Sequence, residues 1–402
     1  MANSTYDIIT VGGGLGGSSL AKAMAAQGAR VLVLERERQF RDRVRGEVIW
    51  PWGVAELKEL GSYDLLRAAC GHDIRWFDTH LGPARADHND LVHDTVPQVP
   101  ALNFYHPEMQ EVLLQAASDA GAEIRRGAWV CDVKPGVTPM VTVEQDGHVE
   151  ELHARLIVCA DGKASMARKW AGFEPQRDTI GLMVAGVLLE GLQGSQTDTN
   201  YWIINPQLGQ AAFLAPQRDG HTRAYLLHSK TAEFRLQGEQ ALPRFTAEMI
   251  KSCAPAEWFT GIKAIGPLAT FDGTDTWVKH PYKEGVVLIG DAAACSDPSY
   301  GQGMCLTLRD VRVLRDQLLK YNNWDDASHA YAEAHDHYYG AINTVIHWFW
   351  DLFYEIGPEA EARRAKAFPS LAQDVTRVPN VLMSGPEVPL DETVRRRFFG
   401  EE

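Results

Sequence analysis

Cysteine is sparse in this sequence. Six occur in 402 residues (Cys70, Cys131, Cys159, Cys253, Cys295 and Cys305), and no two form a C-x-x-C pair. That argues against a disulfide framework or a zinc site and for a reducing compartment. No run approaches the ~20 apolar residues of a membrane span; the richest, Ile342 to Tyr354, is broken by His347 and Asp351. Positive charge is in deficit, 39 Lys and Arg against 53 Asp and Glu, a net −14. Such a surface repels nucleic acid and anionic membranes, so neither is expected as a stable partner. Met1 to Asp7 is polar and leads into a strand, unlike a signal peptide. G-x-S-x-G, H-E-x-x-H and P-loop motifs are missing. The expectation is a cytoplasmic globular protein of two or three packed units at ~100–200 residues each.

What is present begins with a βαβ unit. Tyr6 to Val11 is a β-branched run, Ser18 to Gln27 an Ala-rich helix ended by Gly28, and Arg30 to Leu34 a buried parallel strand. Beyond an irregular stretch from Arg36 and a short helix near Pro51, Trp76 to Val99 carries strand-like pieces. Pro107 to Ala120 reads as an amphipathic helix and Glu123 to Val133 as a strand. Asp146-Gly147 marks a hairpin between Val141–Glu144 and Glu151–His153. Leu156 to Ala160 reads as a further buried strand, Gly181 to Thr270 as a largely antiparallel sheet, and Gln240 to Cys253 as a helix across it. Gly285 to Ile289 returns to the buried-strand pattern, and a long helix from about Gly303 to Lys320 follows. The remainder reads as helical, then Pro-rich and poorly defined beyond Phe368. His335 and His337, two apart on a helix, face different ways and are expected to be solvated, not to bind metal.

Gly12, Gly14 and Gly17 form G-x-G-x-x-G between strand and helix. The first permits a tight turn, the second close approach of a pyrophosphate, the third close packing of helix on strand. Glu35 ends the second strand, where it would accept ribose hydroxyls; the alternative is a surface carboxylate in the run Glu35-Arg36-Glu37-Arg38. A bound dinucleotide is expected.

Two later motifs bear on which one. Asp161-Gly162 precedes Ser165 and Arg168, and Gly290-Asp291 precedes Pro298 and Gly301-Gln302-Gly303. With the first glycine motif, this ordered set resembles the class A flavin-dependent monooxygenases, the para-hydroxybenzoate hydroxylase-like superfamily. The resemblance implies FAD, with Glu35 at the adenosine ribose, the glycine loop at the pyrophosphate and Asp291 at the ribityl chain. For Asp291 a helix N-cap is the other reading, compatible with the first. Gly301 and Gly303 would approach the flavin's pyrimidine edge, and Pro298, Gly301 and Gly303 would form the catalytic, flavin-facing loop, with no acid or base assigned. The resemblance sets Asp161 between cofactor and nicotinamide contacts, a strand-end turn being its alternative, and Arg45 near both rings. His106 stands where members carry an arginine; it would touch the flavin with a pH-dependent charge or lie in an exposed loop. Leu15, Arg36, Val130 and Met304 complete the expected cofactor contacts.

The chain also departs from the hydroxylase pattern. Met304-Cys305 replaces the Met-Asn that often follows G-Q-G, and Gly46-Glu47-Val48-Ile49-Trp50-Pro51 is similar to the G-E-x-x-x-P segment of halogenases and isoprenoid-reducing flavoproteins. Against halogenation, W-x-W-x-I-P is absent and no lysine lies between Lys58 and Lys134.

The fold class expected is α/β: a Rossmann-type FAD-binding domain (1–75, 100–180 and 275–320), an inserted, mainly antiparallel substrate sheet (76–99 and 181–274) and a helical C-terminal region (321–402). The function implied is hydroxylation of an aromatic or polycyclic small molecule through a flavin C4a-hydroperoxide, with O2 and NAD(P)H as co-substrates. The alternatives are a two-component epoxidase, reductase or atypical halogenase fed by a reductase partner, and a non-catalytic flavin-binding or redox-sensing protein. Trp76, Trp202, Phe213 and Phe271 are candidates for an apolar pocket or for the core.

Overall fold

The computed structural model describes residues 6–232 and 234–402; the polar segment preceding Tyr6, on which the signal-peptide argument rests, lies outside them. The first of two eight-stranded sheets has six strands in the order Tyr282–Lys283, Val286–Leu288, His148–Cys159, Tyr6–Val11, Val31–Glu35, Glu123–Arg126, with Met140–Gln145 joined to His148–Cys159 and Trp129–Lys134 joined to Met140–Gln145. Four of the five pairings along this order are parallel, and Tyr282–Lys283 is antiparallel to its neighbour. Successive residues serve opposite faces, as strand geometry requires. Val31 and Val33 pack with Leu20, Met24 and Leu113 of two covering helices, Leu15–Ala25 and His106–Asp119. Leu32 and Leu34 pack with Val133 and Val141 on the other side. Burial on both faces is why the strand reads as an unbroken apolar run.

Three local expectations need correction. Glu123–Val133 is two strands, Glu123–Arg126 and Trp129–Lys134, because Gly127 turns the chain at φ +70°. The second hairpin arm and the Leu156 strand are one twelve-residue strand, His148–Cys159. Its first half pairs antiparallel with Met140–Gln145 at the surface, and its second half enters the parallel sheet. Beyond Phe368 the chain is helical: Pro358–Gln373 runs on through Pro369, and Val381–Ser384 and Glu392–Phe398 follow.

The second eight-stranded sheet contains Trp76–Leu81 and Ala84–Asp90 together with strands from Met183 to Asp272. All its pairings are antiparallel except Thr199–Asn205 with Trp76–Leu81, which is parallel. These strands come from separate excursions out of the first sheet, so no hairpin dictates their direction. One face packs Ala185, Val187 and Leu226 on Phe245 and Met249 of the Leu242–Lys251 helix. The other, carrying Val184, Tyr225 and Leu227, turns toward the first sheet. The helices Gly303–Lys320 and Trp324–Phe353 complete the core. No helix among the described residues is long and apolar enough to cross a membrane.

Candidate cofactor and substrate site

The carboxyl ends of the parallel strands converge, the usual ligand position in such sheets. Gly12 N–H donates to the Leu34 carbonyl at 2.8 Å, Ala160 N–H to Val11 at 2.8 Å, and Ile289 N–H to Cys159 at 3.0 Å. Gly12 has φ +102°, and a Cβ there would sit 2.5 Å from the Ala160 carbonyl oxygen. At Gly17 it would sit 1.9 Å from the Gly12 oxygen, so helix and loop touch backbone to backbone. Gly17 therefore shapes the loop from behind and does not border the cavity; Gly12, Gly14 and Leu15 do.

That cavity has a volume of about 610 Å³, within the range of small-molecule and cofactor sites. It collects Glu35, Arg36, Arg45, His106, Val130, Asp161, Asp291, Pro298, Gly301, Gly303 and Met304, all anticipated from sequence.

Glu35 is buried, which overturns the surface alternative. Its Oε2 accepts from the Gly13 amide and its Oε1 from the Glu37 amide, both at 2.7 Å. Arg36 stands over the ring of Trp129, 5.9 Å from its centroid, at one end of the cavity.

Asp161 Oδ2 accepts from Ala167 N–H at 3.1 Å, so the strand-end turn is real. Its Oδ1 is buried without a partner. Asp291 lies inside the 3₁₀ turn Gly290–Ala292 and makes no hydrogen bond among the described residues, so it caps no helix. Burial raises its proton affinity; Arg45, Lys163 and Arg168 oppose that. Behind it, Asp310 Oδ2 accepts from Gly290 N–H at 2.7 Å, and Asp310 Oδ1 accepts from His335 Nδ1 at 3.0 Å and from Tyr338. His335 is therefore core, contrary to the solvated expectation, while His337 is exposed.

His106 Nδ1 donates to the Gly46 carbonyl at 2.8 Å, leaving Nε2 as the acceptor. Desolvation pushes its pKa down to about 4. The pH-dependent charge expected there is thereby moved to acid pH.

The turn before the long helix is held from outside. Asp297 Oδ1 accepts from Ser299 N–H at 2.8 Å, and Trp50 Nε1 donates to the Tyr300 carbonyl at 2.8 Å. Gly301 has φ +64°, with Trp50 Nε1 2.9 Å from where a Cβ would lie. Gln302 faces inward, accepting from Trp52 Nε1 at 2.9 Å.

The opposite end of the cavity is walled by Trp50, Val184, Phe213, Tyr225, Leu227 and Phe271. Their polar atoms are turned away: Tyr225 donates to the Arg45 carbonyl at 2.6 Å. Trp76 stacks on His88 and Trp202 packs on Tyr300, and neither reaches the cavity. Sequence reasoning missed Trp50, Trp129, Lys163 and Tyr225. Trp50, Trp129 and Lys163 adjoin residues already singled out, whereas nothing local marks Tyr225.

The donor set suits FAD. The buried Asp161 Oδ1, which has no protein partner, and the part-buried Asp291 carboxylate, which faces the cavity, call for hydroxyl donors. Gly14 offers an open cradle, where a Cβ would meet only Gln110 Nε2, at 3.6 Å.

Comparison with known proteins agrees. The family described as FAD binding domain matches residues 5–338. Squalene monooxygenase of Mus musculus is 26% identical over 335 residues, covering 80% of this chain and 56% of that protein. Rifampicin monooxygenase of Streptomyces venezuelae is 27% identical over 76% of this chain and 62% of its own length. The chain thus spans little more than half of these curated relatives. Among solved structures, p-nitrophenol 4-monooxygenase from Pseudomonas putida superposes with a TM-score of 0.79 at 18% identity, covering 94% of this chain and 96% of that one. The myxobacterial chondrochloren halogenase gives 0.74 at 20%, covering 98% and 97%.

Proposed function

The chain belongs to the FAD-binding domain family, and from that premise we propose that it is an FAD-dependent monooxygenase acting on an aromatic or polycyclic small molecule, with O2 and NAD(P)H as co-substrates. One observation carries the reading: the glycine-loop cradle and the aromatic-walled chamber are two ends of a single cavity. The monooxygenase relatives support it.

In this proposal Gly12, Gly14 and Leu15 hold the pyrophosphate, and Glu35, Arg36 and Val130 the adenosine end. Asp161 and Asp291 accept from the ribityl and neighbouring hydroxyls. Gly301, Gly303 and Met304 border the flavin ring, with the helix Gly303–Lys320 directing its positive end there. Bound FAD supplies two-electron chemistry and O2 activation. The protein supplies position and dryness. Phe213, Tyr225 and Phe271 exclude water from the reacting end, and Pro298 and Tyr300 close it from the side. Arg45 and neutral His106 give one fixed cation and one acceptor. Six free thiols, four of them buried, support a reducing, cytoplasmic setting.

The halogenase and squalene monooxygenase neighbours favour a second reading, a flavoprotein supplied with reduced flavin or electrons by a partner. NAD(P)H oxidation by the purified FAD-loaded protein separates the two. Consumption stimulated by a polycyclic aromatic substrate supports the first. Product formed only when a reductase is added supports the second, and flavin that stays oxidised with every reductant overturns both.

A further inference from the structure

A line of polar groups crosses the apolar interior behind the Asp297–Gly301 turn. On the helix Trp324–Phe353, Tyr339, Asn343 and His347 recur every four residues and so share one face. Asn343 Nδ2 donates to Asp275 Oδ2 at 3.0 Å, and the Tyr339 hydroxyl donates to the same oxygen at 3.3 Å. One turn on, His347 Nε2 meets Asp178 Oδ2 at 2.7 Å. The Asp178 amide in turn donates to the Asp275 carbonyl at 3.1 Å.

The two ends of this line differ in their access to water. The His347 side chain is 40% exposed, whereas Asp275 is 3% exposed. At the inner end Asp297, equally buried, holds the amide and hydroxyl of Ser299, and Ser296 and Ser299 line the cavity. Asp275 Oδ1 and Ser296 Oγ are both buried without a partner.

A carboxylate with one oxygen bare and no counter-ion bonded to it is costly in such a place, and it avoids that cost by staying protonated. The groups facing Asp275 supply no fixed cation. They are Asp297 and Cys295 from the segment before Pro298, Asp178 from its loop, and Tyr339 and Asn343 from the helix. The nearest cations, Lys163 and Lys230, hold the carbonyl and hydroxyl of Thr274, the residue before Asp275, and act on Asp297. Burial, reinforced by the Asp297 carboxylate, lifts Asp275 to about 7, where gain and loss of a proton are both easy.

We propose that Asp275 relays protons between solvent at His347 and the reaction cavity at Ser296 and Ser299, the proton passing between the neighbouring carboxyl groups of Asp178, Asp275 and Asp297 and not along the backbone bond that holds the first two together. The purpose assigned to it rests on the monooxygenase reading. NAD(P)H, O2, one proton and substrate give NAD(P)+, oxygenated product and water, so each turnover takes up one proton.

The test does not need the substrate. Infrared difference spectra of the FAD-loaded protein, titrated from about pH 5 to about pH 9, should show a carboxylic-acid carbonyl band with a midpoint near 7. Asp275→Asn should remove it. Proton uptake on anaerobic reduction by reduced methyl viologen, a donor that releases no proton, followed with an indicator dye, should slow about tenfold in Asp275→Asn and in His347→Gln, a modest loss for a positioned acid–base group. Both variants should retain FAD, and His347→Gln, at a half-exposed position, should keep the band. A band that survives Asp275→Asn, or uptake at the wild-type rate in both variants, overturns the relay. Absence of substrate-stimulated NAD(P)H oxidation tells separately against the monooxygenase reading.

Discussion

Glu47 and Arg223, 176 residues apart, form a two-pronged ion pair that solvent does not reach: Nε to Oε2 at 2.7 Å and Nη2 to Oε1 at 2.8 Å. Glu47 also accepts from the His106 amide at 3.0 Å and from Gln217, and Arg223 reaches Asp42 at 2.8 Å. Burial pushes the Glu47 carboxyl up, and the guanidinium opposes that. The pair fastens the Gly46–Pro51 segment, which lines the cavity, to the strand His221–His228 of the second sheet.

Removing one partner strands a buried charge. Glu47→Gln and Arg223→Met should each lower stability by ~3–5 kcal/mol, read from urea unfolding. The double variant should lose less than the sum of the two. Single losses below ~1 kcal/mol would match an exposed pair instead.

Asp291→Ala should separate cofactor binding from folding. The carboxylate has no protein hydrogen bond and is disfavoured by burial, so the apoprotein should melt no lower than wild type. FAD retention should fall with the loss of an acceptor worth ~1–3 kcal/mol, about 5- to 150-fold in affinity. Unchanged flavin absorbance per chain would remove Asp291 from the cofactor site.

His106 gives a pH signature. Its folded pKa of about 4 lies below the ordinary value of 6.5, so the unfolded chain takes up the proton first as pH falls. The contribution is full above pH 6.5 and is lost progressively toward pH 4. The melting-temperature difference between wild type and His106→Gln should therefore narrow as pH drops through that window. A constant difference would show that the ring titrates alike in both states.

Gly17→Ala tests the backbone contact beneath the loop. A methyl 1.9 Å from the Gly12 oxygen forces helix and loop apart, at a cost of ~1–3 kcal/mol for overpacking. FAD stoichiometry after gel filtration should fall with it. Wild-type stoichiometry and stability would show that the loop can shift freely.

Neighbouring residues in sequence determined much here. The glycine spacing, the Tyr6–Val11 strand and the helix from Gly303 to Lys320 are local matters of dihedral freedom and apolar period, and they appear where the residues imply. So do Glu35, Asp161 and Asp291 at strand ends, because a parallel sheet sends every such end to one edge. Tertiary structure decided which face of each element is buried. A helical period sets His335 apart from His337 but does not say which of them meets Asp310. Alternation in His221–His228 separates Tyr225 and Leu227 from Leu226, yet only packing against the Leu242–Lys251 helix turns the first two toward the cavity. The contacts made by Glu47 with Arg223, and by Asp275 with Asn343, join segments far apart in the chain. Their partners are chosen by the fold's closure, which no local pattern encodes.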